Sequence, residues 1–447
     1  MTLDANQILA LAPDPASAKA GSQLASPRNW SNLGCNEAAL WGECQGSGKT
    51  PYRTQIDLGG PAFKCTCPSR KFPCKHGLGL YLLRASEPAL FGAAEEPAWV
   101  ADWLQGRQGR QEKKAEKAAA IEASPEAAAA AAAQARKREE KREDKVSAGL
   151  VDLQTWLHDL AREGLAAVRS RGQGFWDAIA ARMADAQAAP LARRLRRAGS
   201  MLYQSGLRNA EGLVANELAS LYLLAQAWQR IDSLPPPLQA DVRALLGWTL
   251  SQDDVLRQSS VADTWHVLAQ TTFDDERLRV RATWLHGAGQ GRWALHLQYA
   301  VGTQGFEQQL APGTAFDGDL CFHPSAWPLR AQIRRHDDVQ SLSAIAAPSS
   351  LDALLDMYAD AVAVQPFLER HPVLLGGLVP DGADHGIVRD AHGRRIALHP
   401  AFRHALHLLA LSGGHPLTVC GEWDGRMLLP LAVWHDGRLV NIDSDFP

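Results

Sequence analysis

Four metal-ligand side chains fall within twelve residues of this chain, and their order constrains its fold more than any other feature. Cys65-Thr66-Cys67 is followed by six residues and then by Cys74-Lys75-His76. Three thiolates and one imidazole make a tetrahedral set that suits zinc. The C-x-C pair fits a strand end or knuckle better than a helix, where residues two apart diverge by about 200°. Gly77 to Leu83 reads as the apolar opening of a helix, while Tyr52 to Leu58 and Ala62 to Lys64 alternate as strands around Gly59-Gly60-Pro61. The expected local fold is therefore ββα. Cys3His fills every coordination position and leaves none for a reactive water, so the expected zinc is single and structural rather than catalytic. In so small a module its binding supplies much of the folding free energy.

The stretch from Phe63 to His76, with its C-x-C, six-residue spacer and C-x-H, resembles the SWIM zinc finger family. The resemblance covers residues 49–85. It implies a zinc-stabilised module that binds nucleic acid or proteins, and it implies no catalysis. From their residues alone, the helical and C-terminal units are not recognised as members of any family.

Three thiolates on a dication leave about one negative charge, so the surroundings matter electrostatically. Lys64, Arg70, Lys71, Lys75 and Arg84 lie between Leu58 and Ala85, a span without Asp or Glu. These cations either form a basic face for phosphates or balance the thiolates and keep the surface solvated. The candidate contacts for nucleic acid or a protein partner are Lys64, Arg70, Lys71 and Lys75. Phe72 is placed to stack on a base or to pack beneath the metal.

The chain as a whole reads as multi-domain α+β. Residues 1–104 form an N-terminal unit holding the finger (49–85), with Gly42, Gly46 and Gly48 in a turn-rich stretch before it. Residues 105–145 are charged and alanine-rich with nothing to bury, which predicts a partly helical, solvated linker. Residues 146–260 repeat apolar side chains at helical spacing, as in Leu150, Leu153, Leu157 and Leu160, and predict a helical bundle in which Pro235-Pro236-Pro237 ends a helix. Residues 261–447 change to a period of two. They predict a hairpin from Leu278–Trp284 and Trp293–Tyr299, helices over 350–363 and 402–411, and a three-stranded meander over 418–442 turned by two Asp-Gly pairs. That makes the last unit mostly antiparallel β with helices.

Several other features set limits. A net charge of -3 gives no global attraction to nucleic acid or membrane, so such binding needs a local patch. No long apolar run or secretion signal appears, which predicts a cytoplasmic protein without membrane association. Gly46-Ser47-Gly48-Lys49-Thr50 mimics a phosphate loop, but its spacing fails and a strand follows instead of a helix, so ATP binding is not expected. Arg193, Arg194, Arg196 and Arg197 form a second basic cluster on a helix, more simply read as a solvated face. Thirteen of the fifteen histidines follow Val261 without a recognisable ligand set. The leading expectation is a protein that binds DNA or partner proteins through its finger. The alternatives are an adaptor that binds proteins alone and an enzyme with an unrecognised site in the C-terminal unit.

Overall fold

The computed structural model describes residues 5–12, 15–45, 50–58, 62–69, 71–92, 94–106, 125–204, 209–275, 278–301, 306, 308–345 and 348–442. Among these, no helix is long and apolar enough to cross a membrane.

The N-terminal unit is built on a four-stranded antiparallel meander of β1 (Trp30–Cys35), β2 (Ala39–Cys44), β3 (Tyr52–Asp57) and β4 (Ala62–Cys65). Helices α1 (Ala5–Ala10) and α2 (Pro15–Leu24) precede it, and α3 (Lys75–Ser86) follows. The expected ββα core is present as β3, β4 and α3, but two further strands widen the sheet. Directly opposed residues in antiparallel strands share a face, so Leu40, Ile56 and Phe63 line one side with Cys65 two residues on. That face buries against α3, whose residues His76 through Leu83 are all buried. A helix apolar on every side must be covered on every side, and α1 and α2 cover the side away from the sheet. The α2–α3 crossing depends on small residues: a Cβ on Gly21 would stand 2.7 Å from Leu78 Cβ, and one on Gly79 would stand 2.8 Å from Leu24 Cβ. Gly42 lies inside β2 rather than in a turn, and the position needs glycine because a side chain there would meet Leu33 and Leu80 at 2.8 and 2.9 Å. The Gly46–Lys49 and Gly59–Pro61 turns lie outside the described residues. Helix α4 (98–106) covers the other face of the sheet through Trp99, Leu104 and buried Val100 against Trp41.

The middle unit is helical, as expected. It comprises α5 (Pro125–Glu163), α6 (Leu165–Val168), α7 (Gln173–Asp185), α8 (Ala189–Tyr203), α9 (Ala210–Gln229), α10 (Pro236–Leu245) and α11 (Gln252–Leu256). Helix α5 runs unbroken through positions 145 and 146. The boundary read there marks where the buried stripe of Val146, Leu150, Leu153, Leu157 and Leu160 begins, not where the helix begins. Nothing in the Arg/Lys/Glu-rich stretch before it breaks a helix. Its end is tied to α10 by Glu143 with Arg243 at 2.6 Å, and to the segment that follows α10 by Arg142 over the Trp248 ring at 4.2 Å. The three prolines open α10 instead of ending a helix. Pro236 and Pro237 occupy its first turn, where a missing N–H costs nothing.

The C-terminal unit contains two closed sheets with the same connectivity. In the first, β5 (Ser260–Asp275), β6 (Leu278–Gly287) and β7 (Trp293–Val301) form a meander, and β8 (Thr314–Phe322) pairs antiparallel with β5. Strand β9 (Arg330–His336) closes the ring by pairing parallel with β7 and antiparallel with β8, off which the short β10 (Gln340–Ser341) branches. After α12 (Leu351–Val364) the pattern repeats with β11 (His371–Pro380), β12 (Ile387–Arg389), β13 (Arg395–Leu398), β14 (Leu417–Trp423) and β15 (Met427–His435). Here β11 pairs with β12 and β14, β12 with β13, and β14 with β15, all antiparallel, while β13 pairs parallel with β15. Helix α13 (Ala405–Ser412) sits between the third and fourth strands, and β16 (Arg438–Asn441) extends β15. This is the strand order of the five-stranded Greek-key barrel known as the OB-fold. The predicted hairpin, helices and meander are all present, and the tandem barrels they build are an arrangement that the local pattern did not reveal.

The barrels share one apolar cluster, in which Leu268, Trp284 and Trp293 of the first join Val373, Val419 and Val433 of the second. Trp284 Nε1 donates to Glu422 Oε1 at 2.9 Å across this contact. The loop between β8 and β9 docks on the bundle, where the Ala326 N–H donates to Asp241 Oδ2 at 2.8 Å. Ala311, in the loop before β8, belongs to the finger's core cluster.

Candidate metal centre

Each ligand is fixed by an element whose formation the sequence explains. Cys65 is the last residue of β4, on the face that packs against α3. Cys67 follows in the knuckle. Cys74 is the N-cap of α3 and His76 lies in its first turn, so a rigid helix carries two of the four donors. The four ligand atoms all lie within 4.8 Å of one another, and these residues are the sole group of its kind among the described residues. His76 Nδ1 stands 3.7 Å from Cys65 Sγ and 3.9 Å from Cys74 Sγ. Zinc bonds of about 2.0–2.3 Å in a tetrahedron place donors roughly 3.5–3.8 Å apart. The cluster therefore fits one zinc ion, held by Cys65, Cys67, Cys74 and His76.

The residues around the ligands orient them. Thr54, fully buried on β3 opposite Cys65, brings its hydroxyl to 3.3 Å from Cys65 Sγ, where it can donate to a thiolate. Cys67 accepts from the Ser69 backbone N–H and Cys74 from that of Gly77. Each sulfur thus has a donor of its own, which is how an anionic ligand is held in place. The Tyr52 ring lies against the His76 imidazole with centroids 4.9 Å apart. Thr54 and Tyr52 do not stand out in the sequence, because their role follows from strand register alone.

Without a cation the thiols must share protons. Hydrogen bonds from Cys65 and Cys74 hold Cys67 well below the usual thiol range, whereas its bonds to Cys65 and Cys67, with burial, push Cys74 up. Burial opposes a charge on His76, but Cys65 and Cys67 outweigh it and raise the imidazole to about 9. A metal-free finger is therefore stabilised by protonated His76 below its ordinary value of 6.5, and loses that contribution as pH rises toward about 9. Zinc displaces the proton, so its apparent affinity should increase across the same window. Competition with a chromophoric chelator between pH 6.5 and 9 would measure this, and a flat profile would contradict it. Cys44, buried on β2 and pushed up to about 11 by burial and by Cys65, remains a neutral thiol beside the site and not a fifth ligand.

The comparisons with known proteins agree with this geometry. The family model of the SWIM zinc finger matches residues 52–85. Residues 52–85 are a SWIM zinc finger. A second model, the SWIM-associated four-helix bundle domain, matches residues 141–246, where the sequence had shown only apolar spacing. No curated protein and no solved structure matches the chain.

The candidate contact residues do not share a single face of the SWIM finger. Lys75 opens α3 beside the metal ligands, and Lys71 lies in the knuckle; both are exposed. Lys64 is exposed too, but between Phe63 and Cys65 it projects to the opposite side of the sheet, opposite Gln55. Arg70 lies outside the described residues. Arg84 leans over the Phe91 ring at 5.9 Å and is committed to packing. Phe72 packs edge-on to Phe63, centroids 6.2 Å apart, beneath the metal side of the core. The arginine cluster of α8 is largely paired as well: Arg194 binds Glu217 at 2.7 Å with both side chains largely buried, Arg197 reaches the same carboxylate at 3.7 Å, and Arg196 lies 4.0 Å from Asp177.

Proposed function

We propose that this protein is a nucleic-acid-binding factor, with DNA the first ligand to test, in which zinc is a structural element and the knuckle of the SWIM finger makes the contact. The observation that carries this reading is the pairing of exposed Lys71 and Lys75 with a closed zinc site, in a stretch from Leu58 to Ala85 that contains no acid. Zinc fixes the backbone from which Lys71 and Lys75 project, and each phosphate they neutralise releases counterions. The patch is small. It predicts weak, salt-sensitive binding that depends little on sequence.

A salt titration on single- and double-stranded DNA tests it. Removing one lysine–phosphate pair should lower the log–log slope by about 0.7–0.9, so Lys71→Ala with Lys75→Ala should flatten it by about 1.4–1.8. No binding at low salt, or an unaltered slope in the double variant, would rule the reading out.

One observation favours a protein-only adaptor instead. The bundle carries an open apolar cavity of about 560 Å³ between α5, α6 and α9, lined by Leu157, Leu160, Leu165, Leu218 and Tyr222. Partners that stay bound after nuclease treatment, and are lost when exposed Ala219 is replaced by Trp to fill the cavity, would support this adaptor over the DNA reading.

A further inference from the structure

The interior of the first barrel is apolar at one end and polar at the other. Trp265, Val267, Leu285, Ala294, Phe316 and Leu320 fill the apolar end. Leu285 points inward, and the pleat makes every second residue of β6 do the same. Thr283 and Arg281 therefore also face in, with His296 and Gln298 opposite them on β7. All four are at least nine-tenths buried, at 0, 3, 5 and 8 % exposure respectively. They stand toward the end of the barrel where β6 begins and β7 runs out.

Arg281 is the anomaly. Its guanidinium donates to Gln309 Oε1 at 2.5 Å, and the Phe306 ring lies 4.1 Å away. Among the described residues no carboxylate pairs with it, and its Nε has no partner. Around it Gln298 Oε1 and Gln309 Nε2 are also buried without partners. A second guanidinium, that of Arg279, lies over the same Phe306 ring at 5.5 Å and adds like charge. A buried charge without a counter-charge is strongly unfavourable, and arginine stays protonated rather than neutralise. Buried unpaired polar groups in a native protein call for an explanation such as an ion.

We propose that this end of the first barrel binds an oxyanion, a phosphate or a carboxylate, held by Arg281 through its unpaired Nε edge and by the Gln309 amide. The planar guanidinium offers two parallel donors that match either group. The proposal is independent of the finger and of any nucleic acid bound there.

Thermal unfolding of the full zinc-loaded chain in phosphate, sulfate or acetate, each against chloride at matched ionic strength and pH, tests it. Phosphate and sulfate stabilise proteins generally, without saturating, so the expected result is a rise in Tm that saturates at millimolar ion and is absent in Arg281→Met. Saturation with phosphate and sulfate but not acetate assigns the phosphate class; saturation with acetate assigns the carboxylate class. If no anion gives a saturable shift, or if Arg281→Met keeps it, the site does not exist. Should Arg281→Met fail to fold, Gln309→Leu serves in its place, and its expected result is a several-fold higher concentration for half-saturation. An unchanged half-saturation in that variant would equally overturn the assignment.

Discussion

Cys74→Ser is expected to abolish zinc binding and to unfold the finger while the helical bundle stays intact. Cys74 is a metal ligand placed at the N-cap of α3, where it makes no capping hydrogen bond of its own, so the serine leaves the cap intact and removes the thiolate that ties the helix carrying His76 to the metal. Structural zinc sites of this kind contribute on the order of 10–16 kcal/mol of apparent binding free energy at neutral pH. The finger's own core is one modest cluster around Leu40, Ile56, Phe63 and Leu78 to Leu83. Such a core cannot replace a term of that size. The bundle's cluster shares no residue with it, which is why the two should respond separately. Metal analysis should fall from about one zinc per chain to none, and hydrogen exchange should lose protection in β3, β4 and α3 but not in α7 to α9. Full zinc occupancy in the variant, or a bundle that unfolds along with the finger, would refute this account. Ala311 packs into the finger's cluster, so the loop before β8 is the part of the barrels expected to lose protection too.

Trp176→Ala is expected to cost the bundle about 3–5 kcal/mol, the range for emptying a fully buried aromatic site. Trp176 is wholly buried on α7, edge-on to Trp156 at 5.6 Å and to Phe175 at 6.0 Å. Helix α8 crosses it through Gly199, where an added Cβ would stand 2.5 Å from Trp176 Cγ. The ring therefore sits where α5, α7 and α8 meet, and neighbouring backbone cannot collapse into the space it leaves. Gly199→Ala should itself cost about 1–3 kcal/mol by overpacking against the ring. Because each site depends on the other, the two effects should not add when combined. Urea midpoints of the helical signal would show this. A loss under about 1 kcal/mol for Trp176→Ala would mean that the bundle's stability lies elsewhere.

Much of the architecture could be read locally because it depends on local rules. The four zinc ligands were visible because coordination chemistry demands few residue types at short spacing, and the apolar stripe from Val146 to Leu160 was visible because a helix repeats every 3.6 residues. The alternation in Leu278–Trp284 and Trp293–Tyr299 identified strands equally well. It could not say which face would be buried. In the first barrel Arg281, Thr283 and Gln298 turn inward while Tyr299 and Val301 remain exposed, the reverse of a simple inside-apolar reading. The unbroken run of α5 through position 145 was obscured for a related reason: composition changed there, but helix propensity did not.

The sequence alone determined the metal, its four ligands, the closed structural character of the site and the succession of finger, helical and strand-rich segments. Each of these follows from residue identity and separations of a few positions along the chain. Only the tertiary structure decided that Thr54 supports Cys65, that Lys64 parts company with Lys71 and Lys75, and that the strand-rich C-terminal unit forms two barrels of one topology. Those outcomes depend on pairings such as β5 with β8 and β13 with β15, between segments tens of residues apart. Strand pairing over such distances is fixed by the global packing of apolar faces, and no local pattern records it.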